Sequence, residues 1–121
     1  PVDTIWVSHN VRRILAGDMA PAVQLSVHPI GSEGLLQLHP ALECDDVIIR
    51  EGVRALLAEH HERLELIEKE RGKLGWTAWQ LADRMAFESL DADRGTWERY
   101  AHPRARKQAS ERFEEYTYQW F

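Results

Sequence analysis

His39, Cys44, Asp45 and Asp46 form the one cluster of metal-ligand types in a stretch that His39-Pro40 marks as a loop. With a distant histidine such as His9 or His28, they could hold a zinc ion and activate water, as a small hydrolase would. The spacing matches no strong metal signature. The preferred reading is that Cys44 is a small buried residue and that an aspartate caps the helix that follows. No cofactor is therefore expected, and zinc is the alternative. Cys44 with His39 could also serve as thiol and base, but nothing near them in sequence supplies an oxyanion site. Ser8-His9 are neighbours in sequence only, and Ser26, Ser32 and Ser89 sit in no nucleophile-elbow pattern. There is no glycine-rich phosphate loop.

Other clusters have plainer readings. His60 and His61 are adjacent, so on a helix they point about 100° apart and do not share a metal easily. His60 continues the stripe Val53, Leu57, Leu64 and reads as a half-buried histidine. Asp91-Ala92-Asp93-Arg94-Gly95 resembles a calcium loop only faintly: the third acidic ligand is missing and His102 stands where the closing Glu belongs. It reads as a turn. Arg104, Arg106, Lys107 and Arg112 make a basic patch near Trp97 and Tyr100, a chemistry that can hold phosphate or stack on a base. Glu111, Glu114 and Glu115 balance it, which favours a solvated helix face.

Aromatic residues crowd the second half. A small domain cannot bury them all, and exposed aromatics are enriched at interfaces. Trp97, Tyr100, Tyr116, Tyr118, Trp120 and Phe121, with Arg104, Arg106 and Lys107, are the candidate interaction residues. One side of the last helix is expected to meet a partner subunit or a larger protein.

These residues must be positioned by a chain of 121 residues, enough for one ordinary domain. The formal net charge of −5 disfavours nucleic acid and anionic membrane as partners. One cysteine excludes an internal disulfide and fits a reducing, cytoplasmic setting. No apolar run reaches the ~20 residues of a membrane span, and no signal-peptide pattern is visible. The chain opens at Pro1 without a methionine, as a processed, trimmed or excised piece would.

The elements divide near residue 44. Val2-Asp3-Thr4-Ile5-Trp6-Val7 is apolar and β-branched and predicts a strand. Ala22 to Val27 alternates and predicts a second. Between them Val11 to Leu15 predicts a helical turn. From Asp45 or Asp46, as cap, a long helix carries Val53, Leu56, Leu57, Leu64 and Ile67 on one face, with Glu59–Arg63 and Glu65–Lys69 pairs, up to Gly72 and Gly75. Thr77 and Gln80 form a capping box for a helix to about Glu88, with Ala78, Leu81, Ala82 and Met85 apolar. Pro103 opens a last helix with Ala105, Ala109, Phe113, Tyr116 and Trp120 on one face.

Residues 45–120 resemble the C-terminal helical domain of metallo-β-lactamase-fold hydrolases. There a His-His pair followed by Glu-Arg-Leu leads into a Thr-Ala helix and then an Arg-rich helix. Here His60-His61-Glu62-Arg63-Leu64, Thr77-Ala78-Trp79-Gln80-Leu81-Ala82 and Arg104 to Glu111 match. The family's metal motif, Thr-His-x-His-x-Asp-His-x-Gly-Gly, has a degenerate counterpart in Ser8-His9 and Gly17, with Val11, Arg13 and Ile14 in the ligand positions. Val27-His28-Pro29 resembles the strand end that follows. Valine and isoleucine cannot ligate zinc and Arg13 repels it, so the resemblance implies a cut-down relative without the family's hydrolysis.

The expected architecture is mainly α: a short β-containing N-terminal segment over 1–44, then a helical domain over 45–121, built as a three-helix winged-helix-like or small bundle unit. The expected function is a noncatalytic accessory or interaction module related to that hydrolase C-terminal region, self-associating or docking on a larger partner. A winged-helix nucleic-acid-binding protein, using Arg104, Arg106 and Lys107 on phosphate, is the second reading. A zinc hydrolase with a rebuilt site is the third.

Overall fold

The structure, a computed structural model, describes residues 2–71 and 81–121. The Thr77–Gln80 capping box, Ala78 and the Gly72 and Gly75 stop signals lie outside the described residues. All regular structure in the described residues is helical. The helices are α1 (Val2–Leu15), α2 (Ala22–Val27), α3 (Ser32–Leu35), α4 (Val47–Arg71), α5 (Leu81–Ala92), α6 (Arg94–Trp97) and α7 (Pro103–Thr117). Short 3₁₀ stretches cover Leu36–Glu43, Glu98–Ala101 and Tyr118–Trp120.

The mainly α expectation holds, and the two N-terminal strands are corrected to helices. Val2 to Val7 is the first half of α1, whose buried Val7, Val11 and Ile14 are spaced for a helix face while Ile5 is exposed. A six-residue window caught the β-branched residues and missed that spacing. Their helix penalty is only a few tenths of a kcal/mol each, which burial of one face outweighs. Ala22 to Val27 is α2, burying Ala22, Val23 and Leu25. Over so few residues, alternation and a single helical stripe look alike.

Local signals set the ends. Gly17, at φ +100°, closes α1. Its N–H donates to the Ile14 carbonyl at 3.0 Å, and Asp18 N–H donates to the Arg13 carbonyl at 2.9 Å. This is a Schellman closure that needs a left-handed residue. Asp46 caps α4: Oδ1 accepts from the N–H of Ile48 at 3.0 Å and of Ile49 at 3.2 Å. Asp91 to Gly95 is tighter than the predicted turn, because α5 runs to Ala92 and α6 starts at Arg94.

α4 is the central helix. It buries Ile49, Val53, Ala55, Leu57, Ala58, His60, His61 and Leu64, which lie on several of its sides. The first 44 residues and the later helices share one core: Val7, Val11, Ile14, Leu25 and Leu38 cluster with Ile49, Val53, Leu57, Trp97 and Phe113. α7 lies along α4, close enough that Phe113 covers Gly52. α2 joins α7 through Ser26 Oγ and Thr117 Oγ1, 2.6 Å apart.

Candidate functional site: the cleft between α4 and α7

A cleft of about 320 Å³ lies between residues 47–51 of α4 and residues 105–112 of α7. Val47 and Ile48 form one wall and Ala105 and Ala109 the other. Ala105 and Ala109 are one turn apart on α7, so two small side chains in register leave space where larger ones would close on α4. Glu51, Arg99, Tyr100, Gln108 and Arg112 supply the polar lining.

The cleft carboxylate is already engaged. Tyr100 Oη donates to Glu51 Oε1 at 3.1 Å, and Arg99 Nη1 lies 3.5 Å from the same oxygen. Arg54 Nη1 is 3.0 Å from Glu51 Oε2. Burial, reinforced by the hydrogen bond to Glu51, pushes the Tyr100 hydroxyl above its usual range. Tyr100 therefore holds its proton at neutral pH and acts as a donor, not as a nucleophile. Arg99 also lies over the Tyr100 ring, 5.2 Å from its centroid and within cation–π range. Arg112 is exposed at the mouth, and no described carboxylate pairs with it. The arrangement is suited to binding: aliphatic walls, a buffered carboxylate and two guanidinium groups at the rim.

The metal candidates are scattered. His9 is exposed on α1. His28 meets the edge of Trp6 at 6.2 Å. His39 Nδ1 faces Asp93 Oδ2 at 3.4 Å. Cys44 is buried, with its carbonyl accepting from Arg50 Nη1 at 3.0 Å. Asp46 caps α4 with Oδ1 and accepts from Tyr116 Oη on Oδ2 at 2.5 Å. Among the described residues no three His, Cys, Asp or Glu side chains come together as a metal would require.

The candidate interaction residues separate by burial. Trp97 and Tyr100 are core residues, 1% and 3% exposed, and are corrected from surface to interior. Trp97 Nε1 donates to the Leu90 carbonyl at 2.9 Å, which is how a buried indole is satisfied. Tyr116 and Trp120 are partly buried and meet edge-on at 5.2 Å. Tyr118 and Phe121 remain exposed as a tilted pair 5.8 Å apart. In the basic patch, Arg106 is 2.8 Å from Glu62 and Lys107 is 3.9 Å from Glu111, while Arg104 is exposed.

The paired histidines have structural environments. His60 is 8% exposed, and burial followed by the nearby Arg63 cation pulls it down to about 4. His61 stacks on Phe87 at 5.1 Å and meets Trp97 at a tilt at 4.4 Å. Its Nε2 is 3.2 Å from Asp91 Oδ1 and its Nδ1 3.7 Å from Glu65 Oε2. Arg94 completes this cluster, donating to Asp91 Oδ1 at 2.8 Å and lying over the Trp97 ring. Arg94, with His61, holds the Asp91 carboxyl below its usual range.

Sequence reasoning did not single out Val47, Ile48, Glu51 or Arg99. The Ala105–Ala109 step was the visible signal, because small residues one turn apart on an otherwise large-residue face leave a gap. Helix α7's opposite neighbour was not visible. No protein family, no curated protein and no solved structure matches this chain.

Proposed function

We propose that this chain is a noncatalytic interaction module that docks on a larger protein through the α4–α7 cleft. The observation that supports this reading is the cleft itself. Val47, 54% exposed, and Ile48 line it on α4 and Ala105 and Ala109 line it on α7, with the exposed Arg99 and Arg112 among its polar lining. Apolar centre and polar rim is the general anatomy of a docking surface. The Asp46–Tyr116 hydrogen bond ties the start of α4 to the end of α7, and Tyr118 and Phe121 stand exposed past that end. Kinship with the C-terminal helical region of metallo-β-lactamase-fold hydrolases is part of the proposal and rests on the sequence motif alone.

The test is site-specific photo-crosslinking. A benzophenone side chain is placed at Ala105, at Phe121 and at Ala16, an exposed control at the far end of α1, in extracts of cells that make the protein. One discrete adduct from Ala105 and Phe121, absent from Ala16 and lost on Ala109→Arg, supports docking. Purified protein alone, treated alike, identifies self-association by an adduct of twice the chain mass. Indistinguishable adducts from all three positions, or none, defeat the reading.

A further inference from the structure

We propose that the occupant of the cleft is an acidic amphipathic helix of the partner, an inference that rests on the docking reading above. Two features argue for it. The first is the charge at the rim. Glu51 is one carboxylate against two guanidinium groups, Arg54 at 3.0 Å and Arg99 at 3.5 Å, and also accepts from the Tyr100 hydroxyl at 3.1 Å; with Arg112, which no described carboxylate pairs, the cleft mouth keeps a cationic excess. Guanidinium forks select carboxylates by geometry as well as by charge.

The second is the spacing along α7. Arg104, Gln108 and Arg112 recur every fourth residue and so stand in one row; Gln108 and Arg112 line the cleft, and Arg104 lies one turn before them, next to the lining Ala105. At ~1.5 Å rise per residue the two arginines stand roughly 12 Å apart along the axis. Carboxylates two turns apart on a partner helix have nearly the same spacing. Between them, one or two aliphatic side chains enter the space walled by Ile48, Ala105 and Ala109. A volume of about 320 Å³ is at the small end of ligand sites and suits a few side chains.

The chain's formal charge of −5 opposes an acidic partner at long range. At physiological salt that field is screened beyond roughly 8 Å, whereas contacts inside the cleft are not. Local complementarity therefore decides.

The experiment uses the full chain and stapled helical peptides with two leucines one turn apart. Glutamates flank the leucines two turns apart in one peptide, and lysines replace them in the second. Fluorescence anisotropy is expected to give at least about tenfold tighter binding for the glutamate peptide, which is ~1.4 kcal/mol. Arg112→Glu, an exposed position, is expected to remove the preference, and Ala109→Arg to abolish binding of both. Equal affinity for the two peptides, a preference for lysine, or indifference to Arg112→Glu overturns the proposal. If the Ala105 crosslink forms but the glutamate peptide does not compete with it, the acidic occupant fails and docking stands. If neither occurs, docking fails as well.

Discussion

The Phe113 ring on α7 lies against the backbone of Gly52 on α4 with no room for a methyl group between them. A Cβ on Gly52 would fall 2.3 Å from Phe113 Cγ and 2.5 Å from Phe113 Cβ. Because Phe113 Cβ is anchored to its own backbone, no rotamer relieves that contact. α4 and α7 are held together at this point, and the cleft lies beside it, lined by Glu51 on one helix and Arg112 on the other.

Gly52→Ala is expected to destabilise the fold. Alanine gains ~1 kcal/mol of helix propensity over glycine, but overpacking of a closed core costs ~1–3 kcal/mol or more. Steric conflict wins here, since the clash involves backbone-anchored atoms, for a net loss of roughly 2 kcal/mol. Phe113→Ala alone should cost ~3–5 kcal/mol. The double variant should lose less than the sum by at least ~1 kcal/mol. Urea denaturation of the four proteins measures this, and strict additivity would show that the two residues are not in contact.

His60 makes the fold acid-sensitive. Its folded value, about 4, lies below the ordinary 6.5, so the folded state disfavours the proton that the unfolded chain accepts. Stability is unaffected above 6.5, falls as pH drops below it, and levels off below about 4. The loss across that window is about 3 kcal/mol. His60→Leu should flatten this part of the pH–stability profile relative to the parent. Parallel profiles would mean that His60 takes up its proton equally readily in the folded and unfolded chain.

The His61 cluster separates packing from charge. His61 is 5% exposed at its side chain, stacked on Phe87 and tilted against Trp97, whereas Asp91 is 53% exposed. His61→Ala should cost ~2–4 kcal/mol through the cavity between Phe87 and Trp97. Asp91→Asn should shift the thermal midpoint little, because exposed ion pairs are screened. The reverse order would place the stabilisation in the charges.

The Asp46–Tyr116 pair joins a cap to a tertiary contact. Asp46→Ala should cost ~1–2 kcal/mol for the cap alone, and more in total because Tyr116 loses its acceptor. The hydrogen bond to Asp46 raises the Tyr116 hydroxyl above its usual range. The stability it contributes is complete below the unfolded tyrosine value of 10.0 and is lost as pH rises through the higher folded value. Tyr116→Phe should remove that alkaline component, read by denaturation at increasing pH, and leave the α4 cap intact.

Much of the helical half could be read directly from the chain. Asp46 is the cap, Pro103 opens α7, and Val53, Leu57 and Leu64 face the core as their spacing predicted. The N-terminal half misled for a physical reason. Val2 to Val7 and Ala22 to Val27 are too short for one periodicity to exclude the other, and β propensity is weaker than burial. Helix α1 declares itself only when Val7, Val11 and Ile14 are taken together.

The site was harder to see. Trp97 and Tyr100 looked like surface aromatics, yet the fold uses one to cover His61 and the other to engage Glu51. Glu51 and Tyr100 are far apart in the chain, and neither carries a local mark of the other. By itself the sequence determined the Asp46 cap, the long central helix and the apolar faces of α4 and α7, because these depend on neighbours within one or two turns. Only the tertiary structure decided which aromatics are buried, that α5 buries Ala86 and Leu90 and leaves the expected Leu81 and Met85 exposed, that Gly52 admits Phe113, and that α4 and α7 enclose a cleft. Those outcomes depend on contacts between distant segments, where close packing rather than local preference selects the arrangement.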